Sequence, residues 1–298
     1  MDYVVTVDRL PKVGETIIGR SFKKTPGGKG ANQAVAASRL EAEVYMIGRI
    51  GKDHIGDELL QNLISNGVNV DHVKRADTHS GLALIFVDRD GNNVIAVAPG
   101  ADNHLSEHDV DEAFDDLGDE VNILLMQLEV PVKTVEHAIK RFSKSGVRII
   151  LNPAPFHPLS KEALEKVYMA TPNEVELELM SGIEVKCRDD LLRAGRKVIE
   201  DLKIKNLVVT LGARGALLVT KEESKIIPAF KVQPVDTTGA GDAFNAALAV
   251  AISKGESLEE AVTFANAAAA LSTLKLGAQE SLPTLREVEQ FLLKRRKT

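Results

Sequence analysis

Asp242 is the residue around which chemistry is most readily written. It follows a turn of small residues, Gly239-Ala240-Gly241, and precedes an alanine-rich run, Ala243 to Ile252. A helix starting there turns its free N–H groups and positive dipole end toward the turn, and small residues let an anion reach the backbone. A carboxylate beside such a nest is placed to take a proton from a hydroxyl attacking a phosphorus atom. A plainer reading competes: Asp is a common helix cap, and glycines serve close helix packing. Both readings stay open at this stretch.

Four other stretches offer groups of the same kind. Pro26-Gly27-Gly28-Lys29-Gly30-Ala31-Asn32-Gln33 is a second glycine-rich turn leading into an alanine-rich helix, Ala31 to Leu40. Its Lys is followed by Gly rather than Ser or Thr, so it is not a Walker A loop, and its glycine spacing is not that of a dinucleotide fingerprint. It either starts a helix and no more, or offers close backbone approach with Lys29 and Asn32 for a hydroxylated ligand. Met126-Gln127-Leu128-Glu129-Val130-Pro131 puts a carboxylate at the end of an apolar strand, where a parallel sheet presents binding groups. That Glu also suits the first turn of a helix with Pro at its first position. Thr171-Pro172-Asn173-Glu174-Val175-Glu176 reads as a capping box or as oxygen ligands for Mg²⁺. Thr210-Leu211-Gly212-Ala213-Arg214-Gly215 lies between two apolar strands and reads as a turn or a nucleotide-contacting loop.

Several patterns lead nowhere. Asp88-x-Asp90-x-Asn92 opens like a Ca²⁺ loop, but its sixth position is Asn93 and no Glu closes it. His104 and His108 are four apart, but Ser106 is expected to cap the following helix and so divide them. No serine sits in a Gly-x-Ser-x-Gly elbow. The single cysteine, Cys187, excludes an intramolecular disulfide framework or a cysteine metal cluster.

The elements that must position these groups alternate. Val44 to Ile50, Asn122 to Leu128, Val147 to Leu151 and Leu207 to Leu211 read as strands. The last three are nearly continuous apolar runs, as suits strands covered on both faces. Helical patterns fill the intervals at 53–65, 131–145, 188–202, 239–254 and 257–274. The sequence therefore predicts an α/β fold: a doubly wound, mostly parallel sheet flanked by helices, in a single domain over 1–298. Leu82 to Asp88 and Asn93 to Ala98 break the rhythm as a hairpin about Asp90-Gly91. With extended segments at Tyr3 to Val7 and Glu15 to Phe22, they predict a small antiparallel lid sheet from about 3–24 and 80–100. The 37 Lys and Arg against 43 Asp and Glu give a net charge of −6, which argues against nucleic acid as main partner. The basic run Lys294-Arg295-Arg296-Lys297 is expected to complement the C-terminal end of a last helix. No apolar run reaches the ~18 residues of a membrane span, so a cytoplasmic protein is expected.

Taken together, Gly27-Gly28-Lys29-Gly30-Ala31-Asn32-Gln33-Ala34 and Asp236-Thr237-Thr238-Gly239-Ala240-Gly241-Asp242 resemble the two signatures of the ribokinase-type (phosphofructokinase-B type) carbohydrate kinases. The likeness spans the whole chain and is reinforced by Ser80-Gly81-Leu82-Ala83-Leu84-Ile85-Phe86-Val87, Met126-Gln127-Leu128-Glu129, Asn152-Pro153-Ala154-Pro155, Thr171-Pro172-Asn173-Glu174 and Lys275-Leu276-Gly277-Ala278-Gln279. The resemblance implies ATP-dependent phosphorylation of the 5-hydroxyl of D-ribose or a related small sugar, or of a nucleoside. It also leaves room for a sugar-binding relative without turnover. By that resemblance Asp242 is the catalytic base, and the amides of Gly239, Ala240 and Gly241 form an anion hole. Asp2, Gly28, Lys29, Gly30, Ala31, Asn32 and Glu129 match the sugar-binding segments. Asn173, Glu176, Thr210, Leu211, Gly212, Ala213, Arg214, Gly215, Gly241 and Asn266 match the nucleotide side, with Glu176 at the position associated with Mg²⁺. Asp236, Thr238, Ser272, Lys275, Gly277 and Ser281 align with an activating K⁺ site. The resemblance further implies a homodimer clasped through the lid sheets. Family members open with a buried strand ending in an Asn-x-Asp segment, inside which Met1-Asp2-Tyr3 begins. That strand and its Asn are expected to be missing here, lowering stability and raising KM.

Overall fold

A computed structural model describes residues 1–118 and 120–295, so Arg296 and Lys297 of the basic run lie outside the described residues. In chain order the strands and helices begin with β1 (Asp2–Thr6), β2 (Ser21–Thr25), α1 (Lys29–Arg39), β3 (Gly48–Gly51), α2 (His54–Ser65), β4 (Val73–Ala76), β5 (Leu82–Val87) and β6 (Asn93–Ala98). Then come α3 (Glu107–Leu117), β7 (Ile123–Met126), α4 (Val132–Ser143), β8 (Arg148–Leu151), α5 (Lys161–Leu164), β9 (Met169–Ala170), α6 (Glu174–Ser181) and α7 (Arg188–Leu202). The last are β10 (Asn206–Thr210), β11 (Ala216–Val219), β12 (Ser224–Ile227), α8 (Ala240–Ser253), α9 (Leu258–Ser272) and α10 (Leu285–Arg295).

The main sheet runs β12-β11-β10-β9-β8-β7, parallel from β7 to β10 and antiparallel beyond it. Its apolar strands are covered on both faces. Ile150, Met169, Val208 and Leu218 face one cluster with α1, α8 and α9; Ile149, Leu151, Leu207, Val209 and Leu217 face the other with α4 and α7. Each fully buried side chain of this size contributes about 1.5–3 kcal/mol, and a one-residue slip would turn every one to the wrong layer. α8 is buried almost all round and packs between α1 and α9. Its alanines bring the helix axes close and fix the N-terminal ends of α1 and α8 against each other.

β3 and β4 pair in parallel with each other, as a separate two-stranded sheet. An ion cluster fastens that pair to α3. Asp109, whose side chain is 1% exposed, accepts from Arg49 Nε at 2.9 Å and Nη2 at 2.8 Å, and Lys74 Nζ stands 3.3 Å away. Ser106 caps α3 as expected, in a reciprocal capping box with Asp109.

A third sheet, β2-β1-β5-β6, stands where the small sheet is expected. Its β1–β2 and β5–β6 pairings are antiparallel, whereas β1 and β5 run parallel. The hairpin is set by Asp88, whose Oδ1 accepts from the amides of Asp90 and Asn92. Two boundaries differ from the sequence reading. The extended segment expected at Glu15 to Phe22 is a strand only from Ser21, because Gly14 turns the chain at φ 79° and Arg20 N–H closes onto Thr6 O at 2.7 Å. The strand expected from Val44 is reduced to Gly48–Gly51, preceded by a lone bridge from Tyr45 to Asn69.

Candidate active site

Asp242 lies in the first turn of α8, but it is not the cap. Gly239 occupies the N-cap position at φ 77°, in the left-handed region, and no side chain caps the helix. A Cβ on Gly239 would stand 3.1 Å from Ala278 Cα and 3.2 Å from its carbonyl oxygen, so both conformation and space require glycine. Ala240 N–H donates to Thr237 O at 3.2 Å and closes the turn. A Cβ on Gly241 would meet open space, which leaves the backbone approachable there.

The Asp242 carboxylate turns instead toward α1. Asn32 Nδ2 donates to Oδ2 at 2.9 Å and Gln33 Nε2 donates to Oδ1 at 2.9 Å. The residue is 7% exposed. Burial pushes its carboxyl above the ordinary carboxylate range, against the Gln33 and Asn32 bonds and the attraction of Lys29. Such a group is oriented by its donors yet keeps the proton affinity of a base.

Three further sequence-singled groups gather near it. Glu129 sits beyond the end of β7 and accepts the Lys29 N–H on Oε2 at 2.8 Å, which anchors the first turn of α1. Its carboxyl is raised by burial and by the like charges of Asp242 and Asp2, although the side chain keeps contact with solvent. Asp2 is raised for the same first reason, with Asp242 again adding to it. Asp2 lies so close to Gly27 that a Cβ there would meet its Oδ2 at 2.2 Å. Gly28 caps α1 at φ 92°, and Gly30 leaves room for Gln127 and Met46. Ala31 packs against the core instead of lining the opening.

On the other side of Asp242 a cleft of about 150 Å³ is lined by Lys29, Asn152, Ala154, Thr171, Asn173, Glu176, Thr210, Gly239, Gly241, Asp242 and Asn245. Asn173 and Glu176 form the expected capping box, Asn173 Oδ1 taking the Glu176 N–H and Glu176 Oε2 taking the Asn173 N–H, each at 2.8 Å. The capping box is formed, and the same two residues also line the cleft. Burial raises the Glu176 carboxyl. Thr210 bridges Asn173 at the end of β10, and Gly212–Arg214 forms a short 3₁₀ turn. Gly212 and Ala213 are exposed, Arg214 pairs with Glu174, and Leu211 and Gly215 are buried. Asn266 does not line the cleft: it is 5% exposed and donates to the carbonyls of Ile227 and Pro228.

The segment aligned with a monovalent cation is assembled from two loops. Asp236 Oδ2 accepts the Gly277 N–H at 2.9 Å, and Oδ1 accepts from Thr238 N and Oγ1. Burial opposes the ionised form, but these bonds outweigh it and hold the carboxyl below the usual range. The Ser272 and Ser281 hydroxyls donate to the carbonyls of Ala269 and Ala278, and Lys275 reaches Glu287. Both Asp236 oxygens are thus already engaged by loop donors, and the Lys275 ammonium is turned to Glu287.

Sequence reasoning gave no role to the amides behind the site. Gln33 bonds Asp242 and Asn152 Oδ1 and accepts from Gln127 Nε2 at 2.5 Å. Asn152 Nδ2 reaches Thr171 O, Thr171 Oγ1 reaches Asn245 Oδ1, and Asn245 Nδ2 returns to Gly241 O. All but Asn245 stand inside the motifs quoted above, which is the signal that marks them.

Over residues 1–285 the chain matches the pfkB family carbohydrate kinase model. A ribokinase of Bacillus subtilis (strain 168) is 42% identical over 293 residues, covering 98% of this chain and 96% of that protein. A deoxyribokinase of Salmonella typhi is 38% identical over 294 residues, covering 98% and 95%. A solved structure of Arabidopsis thaliana ribokinase complexed with ribose and ATP has a TM-score of 0.88 at 33% identity, covering 98% of this chain and 95% of that one.

Proposed function

The chain belongs to the pfkB family of carbohydrate kinases, and we propose that it transfers the γ-phosphoryl group of ATP to the 5-hydroxyl of D-ribose, giving D-ribose 5-phosphate. The observation that carries this reading is the Asp242 carboxylate, buried and aimed by two amides between a polar pocket and the turn at Gly239 to Gly241. The sugar is bound by Asp2, Gly28, Lys29, Asn32 and Glu129, with Gly30 and Ala31 giving backbone room and support. Asp242 takes the hydroxyl proton as the oxygen attacks phosphorus, and the N–H groups at the head of α8, with Lys29, stabilise the charge on the transferring group. ATP lies along Asn173 and the Thr210–Gly215 turn, and Asn266 supports the adenine side by holding the chain after β12. Glu176, facing the cleft, suits Mg²⁺ held through water and phosphate, and the ion supplies charge neutralisation there. Asp236, Thr238 and the loop from Ser272 to Ser281 suit K⁺.

The deoxyribokinase relative supports 2-deoxyribose as the second reading. Coupled ADP-release assays on ribose, 2-deoxyribose, fructose and adenosine, each with and without K⁺, separate the two. Ribose should give the highest kcat/KM and K⁺ should raise it. ADP release with none of these acceptors would sink the proposal.

The sheet of β1, β2, β5 and β6 serves as a lid within one domain, and its exposed Phe22, Leu84, Val94, Ile95 and Val97 suit a homodimer contact. Ile95→Asp with Val97→Asp, on one face of β6, should turn a dimer into a monomer in sedimentation. An unchanged sedimentation coefficient would rule this surface out. We place the protein in the cytoplasm; no helix among the described residues is long and apolar enough to cross a membrane.

A further inference from the structure

The catalytic carboxylate is held on one side by a chain of three amides that runs out to the surface. Asn32 Nδ2 donates to Asp242 Oδ2 at 2.9 Å, Gln279 Nε2 donates to Asn32 Oδ1 at 3.0 Å, and Asn62 Nδ2 donates to Gln279 Oε1 at 2.7 Å. Asn32 and Gln279 are 6% and 4% exposed. Asn62 is half-buried on α2, where it borders an open depression with Asp57, Glu58, Gln61 and Ser65. Arg39 holds the loop that carries Gln279, its Nη1 donating to Gln279 O at 2.8 Å and Leu282 O at 3.0 Å.

The chain has a direction, and one end sets it. An ionised carboxylate only accepts, whereas each amide has one accepting and one donating end. Asp242 therefore demands the NH₂ of Asn32. The Asn32 carbonyl then demands the NH₂ of Gln279, and the Gln279 carbonyl demands the NH₂ of Asn62. Were Asn32 turned over, its carbonyl oxygen would face a carboxylate oxygen at hydrogen-bonding distance, opposing ionisation of the base.

Resting on the reading of Asp242 as the base, we propose that Gln279 and Asn62 are positioning residues for it: they lock the Asn32 amide with its NH₂ toward Asp242. Neither touches the reacting atoms. Their effect is on the fraction of enzyme whose base is ionised and aimed.

Asn62→Asp tests the direction alone. The substitution keeps the shape of residue 62 but makes both ends of the chain accept only, so the two remaining amides, Asn32 and Gln279, cannot satisfy all three links. Losing or reversing one hydrogen bond to a charged group moves its titration by about one unit. The acid limb of the kcat profile should therefore move up by about one unit, so that kcat at a fixed pH on the limb falls about tenfold. At the alkaline plateau kcat should stay within about twofold, and KM for ATP should not change. Asn62→Ala removes the outer link without a second acceptor and should move the limb up by less than Asn62→Asp does. Gln61→Glu, which adds the same charge on exposed α2 outside the chain, should leave it in place. Gln279→Met, which removes the donor to Asn32, should move the limb up like Asn62→Asp and stands in if that variant does not fold. An Asn62→Asp limb at the wild-type position, or equal shifts in Asn62→Ala or Gln61→Glu, overturns the proposal. Asp242→Asn measured alongside keeps the two ideas apart: if it retains turnover, the reading of the base fails as well.

Discussion

Asp242→Asn is expected to lower kcat by about 10²–10⁴-fold while ATP still binds at close to wild-type affinity. The magnitude is that of a positioned general base. Retained ATP affinity follows from geometry, since both Asp242 oxygens are engaged by the Asn32 and Gln33 side chains of α1. The Asn side chain keeps the volume and one accepting oxygen, so the buried site is not emptied. In the wild type the base must be ionised, and burial raises its proton affinity. Turnover should thus be lost as pH falls, with a midpoint above the ordinary carboxylate value of about 4. The variant's residual rate should lack that limb. Steady-state kinetics from pH 4.5 to about 9 with equilibrium ATP titration checks both parts. Turnover within a few-fold of wild type would remove Asp242 from the role.

The second large effect concerns stability and lies far from the cleft. Asp109→Ala should lower the unfolding free energy by about 3 kcal/mol, because it leaves Arg49 and Lys74 partly buried without their shared carboxylate. It also breaks the capping box of α3 with Ser106. Burial disfavours the ionised Asp109, but the bonds from Arg49 and Ser106 outweigh it and hold the folded-state carboxyl well below its ordinary range. A carboxyl lowered on folding stabilises the protein above its unfolded-state pKa and loses that contribution as pH falls through the folded one. Wild-type stability should therefore decline below about pH 4, and the variant should show a flatter curve over that window. Urea denaturation at several pH values measures this. A variant within 1 kcal/mol of wild type at pH 7 would mean that the cluster is not a fastening.

The parts of the site that sequence reasoning reached are those whose chemistry is carried by residue type and spacing together. The acid after Gly239-Ala240-Gly241, the Lys and Asn after Gly27-Gly28, and the carboxylate closing an apolar strand could each be picked out. The structure gathers Asp2, Lys29, Asn32, Glu129 and Asp242 at one place. The amides behind them were not legible as roles. Gln33, Gln127, Asn152 and Gln279 have no spacing of their own, and an amide acquires a function only when its two ends have named partners. Asn62 stood outside every motif. In the fold, α4, α7, α8 and α9 were readable from their apolar patterns, α9 with the added signal of its Ser257 cap. The strand at Ser21–Thr25 was not, because its exposed polar residues, Ser21, Lys23 and Lys24, give an edge strand no apolar run.

The bonds that aim the base also join the chain at its far extremes. Asn32 meets Asp242 across 210 positions and Gln279 across 247, while Lys29 meets Glu129 across 100. Contacts of such separation form late, after the local helices and strands have been laid down. During synthesis α1 is available long before its partners leave the ribosome, so its amides wait without an acceptor. The carboxylate that these amides aim belongs to α8, so the aimed pair of α1 and Asp242 exists only after about four-fifths of the chain has been made.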